Sequence, residues 1–285
     1  MKTKTFYLIS LILSVLSLLI SGVFAEENPK NIIRLATTTS TDNSGLLSAL
    51  LPKFSESSGY QVHVIAVGTG KALRMGRDGD VDVILVHARA AEDRFVAEGH
   101  GKKRFGVMHN DFVIVGPKDD PAGIQSAKTV TQAFDLIAQS QSLFVSRGDD
   151  SGTHMKEQYL WNKSKMRPSK TWYREAGQGM GKVLQIAAEM NAYTLTDRGT
   201  WLAYRNKSPL EIGFAGDPLL YNPYGIIAVN PVHHPDTNHE GAIALIKWFI
   251  SPVGQTMIGE YRVGKDQLFT PSADAGEFAA FSRAN

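Results

Sequence analysis

Residues 80–88, DVDVILVHA, form a nearly continuous apolar run. A run without polar alternation predicts a strand buried on both faces, the kind found inside a parallel sheet covered by helices on each side. A chain that contains such a strand has to supply those helices, and this requirement constrains the fold more than any other stretch does.

The flanking sequence supplies them. NIIRLATTT (31–39) reads as a strand, and Leu46, Leu47, Leu50, Leu51 and Phe54 follow at helical spacing with Gly59 as the stop. Pro52 is expected to kink or divide that helix. YQVHVIAVG is a second strand, TGKALRMGRDG a short helix and turn, and DFVIVGP a further strand after another helical stretch. From about Pro117 the pattern restarts with a helix near TVTQAFDLIAQS, the strand SLFVS and a helix from Gly152 through MKEQYLW. Helices around KVLQIAAEMNA and GTWLAYRN and the strand YGIIAVN come next. A helix with Ala242, Leu245, Ile246 and Phe249 on one face closes the pattern, and Ser251 with Pro252 marks the start of one more.

Strands alternating with helices predict an α/β fold. Two apolar strands, DFVIVGP and YGIIAVN, bracket a self-sufficient α/β middle of about 110 residues, a size that can hold its own core. The expected division is residues 26–115 plus 227–285 in a discontinuous first lobe and 116–226 in the second. Hinges are expected near Gly116–Pro117 and Tyr224–Gly225, with a ligand cleft between the lobes.

At the N-terminus, Lys2 and Lys4 precede an uncharged stretch from Thr5 to Ala25 that closes on VFAEEN. This predicts a secretory signal peptide over residues 1–25, with an uncleaved membrane anchor as the competing reading. The chain has 30 basic and 28 acidic residues, so loss of Lys2 and Lys4 leaves 28 against 28. A neutral mature chain without a basic run gives no electrostatic basis for binding nucleic acid or an anionic membrane. The absence of cysteine excludes disulfides, thiolate metal sites, cysteine nucleophiles and a lipid-modified cysteine after the signal. The expected product is a soluble periplasmic protein without a lipid anchor.

Three segments share one design, in which a strand ends, hydroxyl or glycine residues follow, and a helix begins. They are TTTSTDNSG (37–45), GTGKAL (68–73) and SRGDDSGTH (146–154). The start of a helix carries unpaired amides and partial positive charge, which attract an anion, and Ser and Thr hydroxyls donate beside them. Capping alone accounts for each turn taken singly. The hydroxyl run from Thr37 to Thr41 exceeds what one cap requires. Arg147 follows an apolar strand, and its fork of donors suits a tetrahedral oxyanion, with Asp149 placed in sequence to hold the guanidinium. An exposed surface ion pair is the alternative for that pair.

Enzymatic readings fit poorly. DDSGT has Asp where a nucleophile elbow needs glycine, so a hydrolase built on Ser151 lacks its turn. His154 reads as a solvated helix residue. GQGMGKV fails a phosphate loop at both ends, with Ala176 and Val183 at the required positions. His233, His234 and His239 sit among prolines in what reads as a polar loop rather than a zinc site.

Taken in order, TTTSTDNSGLL, VGTGKAL, DVDVILVHA, SRGDDSGTH, AYTLTDRGTW and WFISPVGQTMI resemble the tungstate-binding periplasmic proteins of ABC importers, over nearly the whole mature chain. The resemblance implies a two-lobed type II periplasmic binding protein, each lobe a mixed sheet flanked by helices, with two hinge crossings. It implies a monomer without catalytic activity or cofactor that passes tungstate to an inner-membrane permease and its ATPase. Carried over by motif, the oxyanion-binding positions are Thr38, Thr39 and Ser40, then Thr69, then Arg147, Ser151, Gly152 and Thr153. Phosphate binders share the R-x-D-x-S-G-T pattern, but they tend to place an aspartate where this chain has His87 and Ala88. A phosphate site needs an acceptor for the proton of hydrogen phosphate, so that difference favours a fully deprotonated ion such as tungstate or molybdate. Sulfate and phosphate remain the alternative ligands.

Overall fold

The structure is a computed structural model and describes residues 31–274. The signal peptide expected over residues 1–25 lies outside them.

The first lobe is built on a mixed sheet in the order β10-β4-β9-β3-β1-β2. Here β1 is Ile32–Thr38, β2 Gln61–Val67, β3 Val83–Val86, β4 Gly101–Gly116, β9 Tyr221–Val229 and β10 Thr270–Pro271. β1 runs parallel to β2 and β3, whereas β9 is antiparallel to both β3 and β4. Alternate residues of β3 explain its apolar run. Val83 and Leu85 join the cluster under the C-terminal helices, and Ile84 and Val86 join the cluster on the opposite face. Both faces are dry, as the sequence requires.

Six helices among the described residues clothe this sheet: α1 (Thr39–Asn43), α2 (Leu46–Ser58), α3 (Thr69–Asp78) and α4 (Arg89–Ala97), with α9 (His239–Ile250) and α10 (Pro252–Glu260) returning from the far end of the chain. α2 runs through Pro52 as one helix, so the proline does not divide it. Leu46, Leu47 and Leu50 before the proline and Phe54 after it are buried in one cluster, so packing outweighs the lost hydrogen bond.

The second lobe continues β4 into a second sheet. Phe112–Val115 pair with β7 (Thr194–Asp197), and Ile114–Gly116 pair with β8 (Glu211–Phe214). Parallel strands β5 (Phe144–Ser146) and β6 (Tyr173–Glu175) join through a Phe144–Tyr193 bridge. Its helices are α5 (Val130–Ser140), α6 (Gly152–Lys163), α7 (Met180–Glu189) and α8 (Arg198–Tyr204). Phe112 and Ile114 face one core cluster and Val113 and Val115 the other, so this sheet too is covered on both sides.

β4 is longer than the strand read from DFVIVGP. Its first half, GKKRFGVMHN, pairs with β9 and buries Phe105 and Val107, a strand signal masked by Lys102, Lys103 and Arg104. The handover between sheets falls inside this strand, at Asp111/Phe112. On the return, Leu220 belongs to a second-lobe cluster, and Tyr221 and Asn222 already pair with Asp111 and Asn110. Both crossings therefore lie earlier in the chain than the expected boundaries at 115/116 and 226/227. At Asp111/Phe112 no glycine or proline stands to mark the point.

Candidate functional site

Three strand ends meet where the lobes face each other. At the end of β1, Thr38 caps α1: its Oγ1 accepts from Thr41 N at 3.2 Å and lies 3.0 Å from Ser40 Oγ and 2.7 Å from Thr41 Oγ1. α1 has five residues, so this segment offers a hydroxyl cluster more than a helix dipole. Thr37, Thr38, Ser40 and Thr41 are all buried. Thr39 lines a cavity of about 220 Å³ with Ser40, Asn43, Met180, Thr200 and Tyr204.

At the end of β2, Gly68 caps α3 and Thr69 is its first residue, fully buried. Thr69 Oγ1 accepts a hydrogen bond from Gly152 N of the other lobe at 3.1 Å, and Gly70 N donates to Asp150 O at 3.2 Å. These two bonds knit α3 to the start of α6. A Cβ on Gly152 would stand 3.2 Å from the His87 carbonyl and 3.3 Å from Thr69 Oγ1, so a residue without a side chain permits this approach.

The third end follows β5. Gly148 holds φ +61 directly after Arg147, and a Cβ there would meet Glu175 Cβ at 2.7 Å. Glycine makes the left-handed turn that swings the chain toward α6. Arg147 is only 5 % exposed. Its Nη2 donates to Asp149 Oδ2 at 2.7 Å, and Asp149 Oδ1 accepts from Ser151 N at 3.1 Å. Ser151 Oγ caps α6 through His154 N, and Thr153 is buried. Two buried polar atoms in this segment have no partner: Arg147 Nε and Thr153 Oγ1. Buried donors are rarely left orphaned, and these two lie six residues apart in one segment.

His87, at the end of β3, joins these segments. Its Nε2 lies 3.3 Å from Ser40 Oγ, its Nδ1 lies 3.0 Å from Asn222 Oδ1, and its ring stacks on Tyr224 with centroids 4.7 Å apart. Asn222 Nδ2 in turn donates to Asn110 Oδ1 at 2.7 Å, which ties the two crossing strands together beside the site. Ser40, His87, Gly152 and Thr69 thus form a continuous chain of contacts across the lobe boundary, and Arg147 opens the loop that leads into Gly152. Burial pushes the imidazole toward its neutral form, with Arg147 and Lys156 adding to that effect and Asp197 opposing it.

His87, Asn110 and Asn222 were not among the candidates. His87 was legible, since ligands sit outside the carboxyl ends of sheet strands. The two asparagines sit in strand sequences without a motif. Asp197 was missed as well: it is buried at the end of β7, where its carboxylate accepts from Thr200 N and Thr200 Oγ1. His154 is not a solvated residue as expected. Its Nδ1 is bonded to the Asp149 carbonyl and Gln158 Nε2 lies 3.2 Å from its Nε2, so the ring braces the loop and neither nitrogen is free for Ser151. Among the described residues no group of three His, Cys, Asp or Glu is placed to hold a metal ion, and His234 Nε2 donates to Arg77 O.

Behind β5 the loop rests on an aromatic cluster. Trp161 meets Phe134 and Phe144 edge-on at 4.4 and 5.5 Å, and Glu157 Oε1 accepts from Tyr173 Oη at 2.6 Å and Trp161 Nε1 at 3.2 Å. Burial raises the Glu157 carboxyl to about 7. A carboxyl raised by folding contributes stability that is whole below the ordinary glutamate value and is lost as pH rises through about 7, here roughly 1–3 kcal/mol. Glu157→Gln, which keeps an acceptor for both donors, is therefore expected to flatten the fall in melting temperature between about pH 5 and 8. Thermal melts across that range check it, and an unchanged slope would show that Glu157 is not the group responsible.

Larger cavities flank the cage. One of about 370 Å³ touches His87, Gly152, Met155, Tyr159 and Asn222, and one of about 530 Å³ lies behind the crossing strands beside His109, Asp111 and Arg198. Arg147, Thr69 and Thr153 are buried, and the Gly152–Thr69 and Gly70–Asp150 bonds join the two lobes beside them.

Two α/β lobes joined by two crossing strands and shut over a donor-lined cage define a periplasmic-binding-protein-type receptor. The model of the PBP superfamily domain matches residues 25–253. The tungstate-binding protein TupA of Peptoclostridium acidaminophilum is 46 % identical over 283 residues, spanning 93 % of this chain and 98 % of its own. A solved tungstate-binding protein TupA from Desulfovibrio alaskensis G20 superposes with a TM-score of 0.76 at 46 % identity, covering 85 % of this chain and 99 % of that one. The solved tungstate ABC transporter protein from Geobacter sulfurreducens gives a TM-score of 0.76 at 52 % identity, covering 82 % and 100 %. The chain belongs to the PBP superfamily and, within it, to the family of the tungstate-binding proteins TupA.

Proposed function

We propose that this protein is a non-catalytic periplasmic receptor that captures tungstate as a tetrahedral oxyanion and delivers it to an ABC importer. The observation that carries this reading is the pair of buried, unpartnered polar atoms, Arg147 Nε and Thr153 Oγ1, in a closed interlobe cage. The relatives that carry tungstate in their names support the choice of anion.

Thr38, Ser40, Thr69, Arg147, Ser151, Gly152 and Thr153 supply the donors, with Thr39 at the margin and Asp149 fixing the guanidinium. Gly152 N and Thr69 Oγ1, which bond each other in the closed cage, turn to the anion when it enters. Entry requires the lobes to part at Asp111/Phe112 and Leu220/Tyr221, and the anion then holds them shut, because it binds both lobes at once. The protein acts as a monomer without a cofactor, and its partners are an inner-membrane permease and the ATPase that drives it. Discrimination rests on cage size: sulfate is smaller and leaves donors unpaired in a dry site, which is costly.

Parallel calorimetric titration with tungstate, molybdate, sulfate and phosphate tests the reading. Tungstate is expected to bind at least about a hundredfold more tightly than sulfate or phosphate. Equal or tighter binding of sulfate or phosphate would overturn the assignment of the anion. Absence of binding by all four would overturn the receptor reading itself.

A further inference from the structure

We infer that His87 takes up a proton as the oxyanion enters and becomes the second positive charge of the cage. This rests on the oxyanion-receptor reading above and goes beyond it, because it assigns a charge-matching role to a residue outside the three binding motifs.

Charge balance motivates it. A tungstate-like guest brings two negative charges into a dry site, where an uncompensated charge is very costly. Arg147 carries one positive charge, but Asp149 sits 2.7 Å from its Nη2 and cancels it. The motif residues therefore present a neutral pair and a set of hydroxyls and amides. His87 reaches the hydroxyl run directly, through Ser40 Oγ at 3.3 Å, and unlike Tyr224 beside it can carry a positive charge. Both ring nitrogens face oxygens, Ser40 Oγ on one side and Asn222 Oδ1 on the other. A protonated ring donates to both at once without repelling either partner.

Hydroxyl orientation points the same way. Neutral His87 donates from Nδ1 to Asn222 Oδ1, which leaves Nε2 as an acceptor that draws the Ser40 proton toward itself. Ser40 Oγ is also in contact with Thr38 Oγ1, and that oxygen with Thr41 Oγ1. The hydroxyl chain then runs toward the histidine and away from a guest. Protonation reverses it: Nε2 donates to Ser40 Oγ, and the hydroxyl protons of Ser40 and Thr38 turn to the anion.

The surroundings of the ring favour the neutral form until an anion arrives. Arg147 from the loop after β5 and Lys156 from α6 disfavour a second cation, and Asp197 at the end of β7 favours one. Tyr224 and Phe112 cover the ring faces. Glu92, on the helix that follows His87, is bonded to Arg104 and to Ala88 N. A bound dianion adds negative charge beside the ring and tips the balance toward the imidazolium.

Calorimetry of the mature protein with sodium tungstate, repeated at one pH near 7.5 in buffers of different ionisation enthalpy, reads the proton directly. The expected result is an observed enthalpy that varies linearly with buffer ionisation enthalpy, with a slope near one proton taken up per anion. Affinity is expected to fall about tenfold per pH unit on the alkaline side. His87→Gln is expected to abolish both the uptake and the pH dependence and to bind about tenfold more weakly near pH 7. Tight binding by the unaltered protein with zero slope would overturn the inference and leave the receptor reading intact. Undiminished uptake in His87→Gln would also overturn it, by assigning the proton to another group such as Glu157. If no oxyanion binds at all, the receptor reading fails and this inference fails with it. Should His87→Gln fail to fold, nitrogen NMR of histidine-labelled protein decides: one ring moving to imidazolium shifts when tungstate is added supports the inference, and no such change overturns it.

Discussion

Replacing Arg147 with alanine is expected to weaken tungstate binding by more than about a hundredfold, and to lower the melting temperature of the unliganded protein as well, because Asp149 loses its partner. The guanidinium is buried at 5 % exposure, and its Nε has no partner in the protein. Truncating one member of a buried, hydrogen-bonded charge pair costs roughly 2–5 kcal/mol of binding, and about 3 kcal/mol already exceeds a factor of a hundred. Asp149 makes the upper part of that range the more fitting one. Once its guanidinium is gone, the carboxylate faces the dianion, and an attraction is replaced by a repulsion. Arg147→Lys restores the charge but not the planar fork, so it is expected to recover only part of the loss. Titration calorimetry of the two variants beside the unaltered protein measures this, and an affinity for Arg147→Ala within about threefold of normal would remove the residue from the site.

Gly225→Ala is expected to lower the melting temperature by about 10 °C. Gly225 lies in β9 directly over a buried ion pair: Arg104 Nε donates to Glu92 Oε2 at 2.5 Å, and Glu92 Oε1 accepts from Ala88 N. A Cβ on Gly225 would stand 2.2 Å from Glu92 Oε2 and 2.5 Å from Arg104 Nε, distances no real contact tolerates. One of the two groups has to leave. Burial already pushes the Glu92 carboxyl up to about 7 against the pull of Arg104, so the pair has no better place to go. Breaking a buried pair costs about 3–5 kcal/mol, and each kcal/mol shifts a domain of this size by about 2–4 °C. The strain reaches the site because Glu92 anchors Ala88, the neighbour of His87. In a Glu92→Ala background the same glycine substitution is expected to cost much less, since the clashing oxygen is absent and Arg104, released from its partner, can turn away from the new Cβ. Thermal melts of the single and double variants test it, and additive losses would show that the clash is not the cause.

The division between what the residues announced and what they hid has a physical logic. The apolar run Val83–Val86 announced a strand wetted on neither face, and the hydroxyl and glycine residues after β1, β2 and β5 announced donor-rich turns. These signals are local, because the chemistry of each turn is written in its own few residues. The crossing point of β4 was hidden, since a strand can exchange one sheet for another without a change in backbone conformation. The asparagine bridge from Asn110 to Asn222 was hidden for a related reason, as it joins residues 112 positions apart. Pro52 shows packing overruling a local signal: a residue that should break α2 is carried by the leucines around it. The neutralisation of Arg147 by Asp149 was foreseen from sequence as an orienting contact. Its consequence for the charge of the cage became visible once His87 was found beside Ser40.

Crystals of the mature protein grown with tungstate, measured at the tungsten absorption edge, test the central claim most directly. The claim predicts a single strong anomalous peak inside the cage, with its oxygens within hydrogen-bond reach of Arg147 Nε, Thr153 Oγ1 and Thr69, and of Ser40 or Thr38 across the lobe boundary. A peak in the open cavity beside Asp111 and Arg198, or anomalous density with no contact to Arg147, would contradict it.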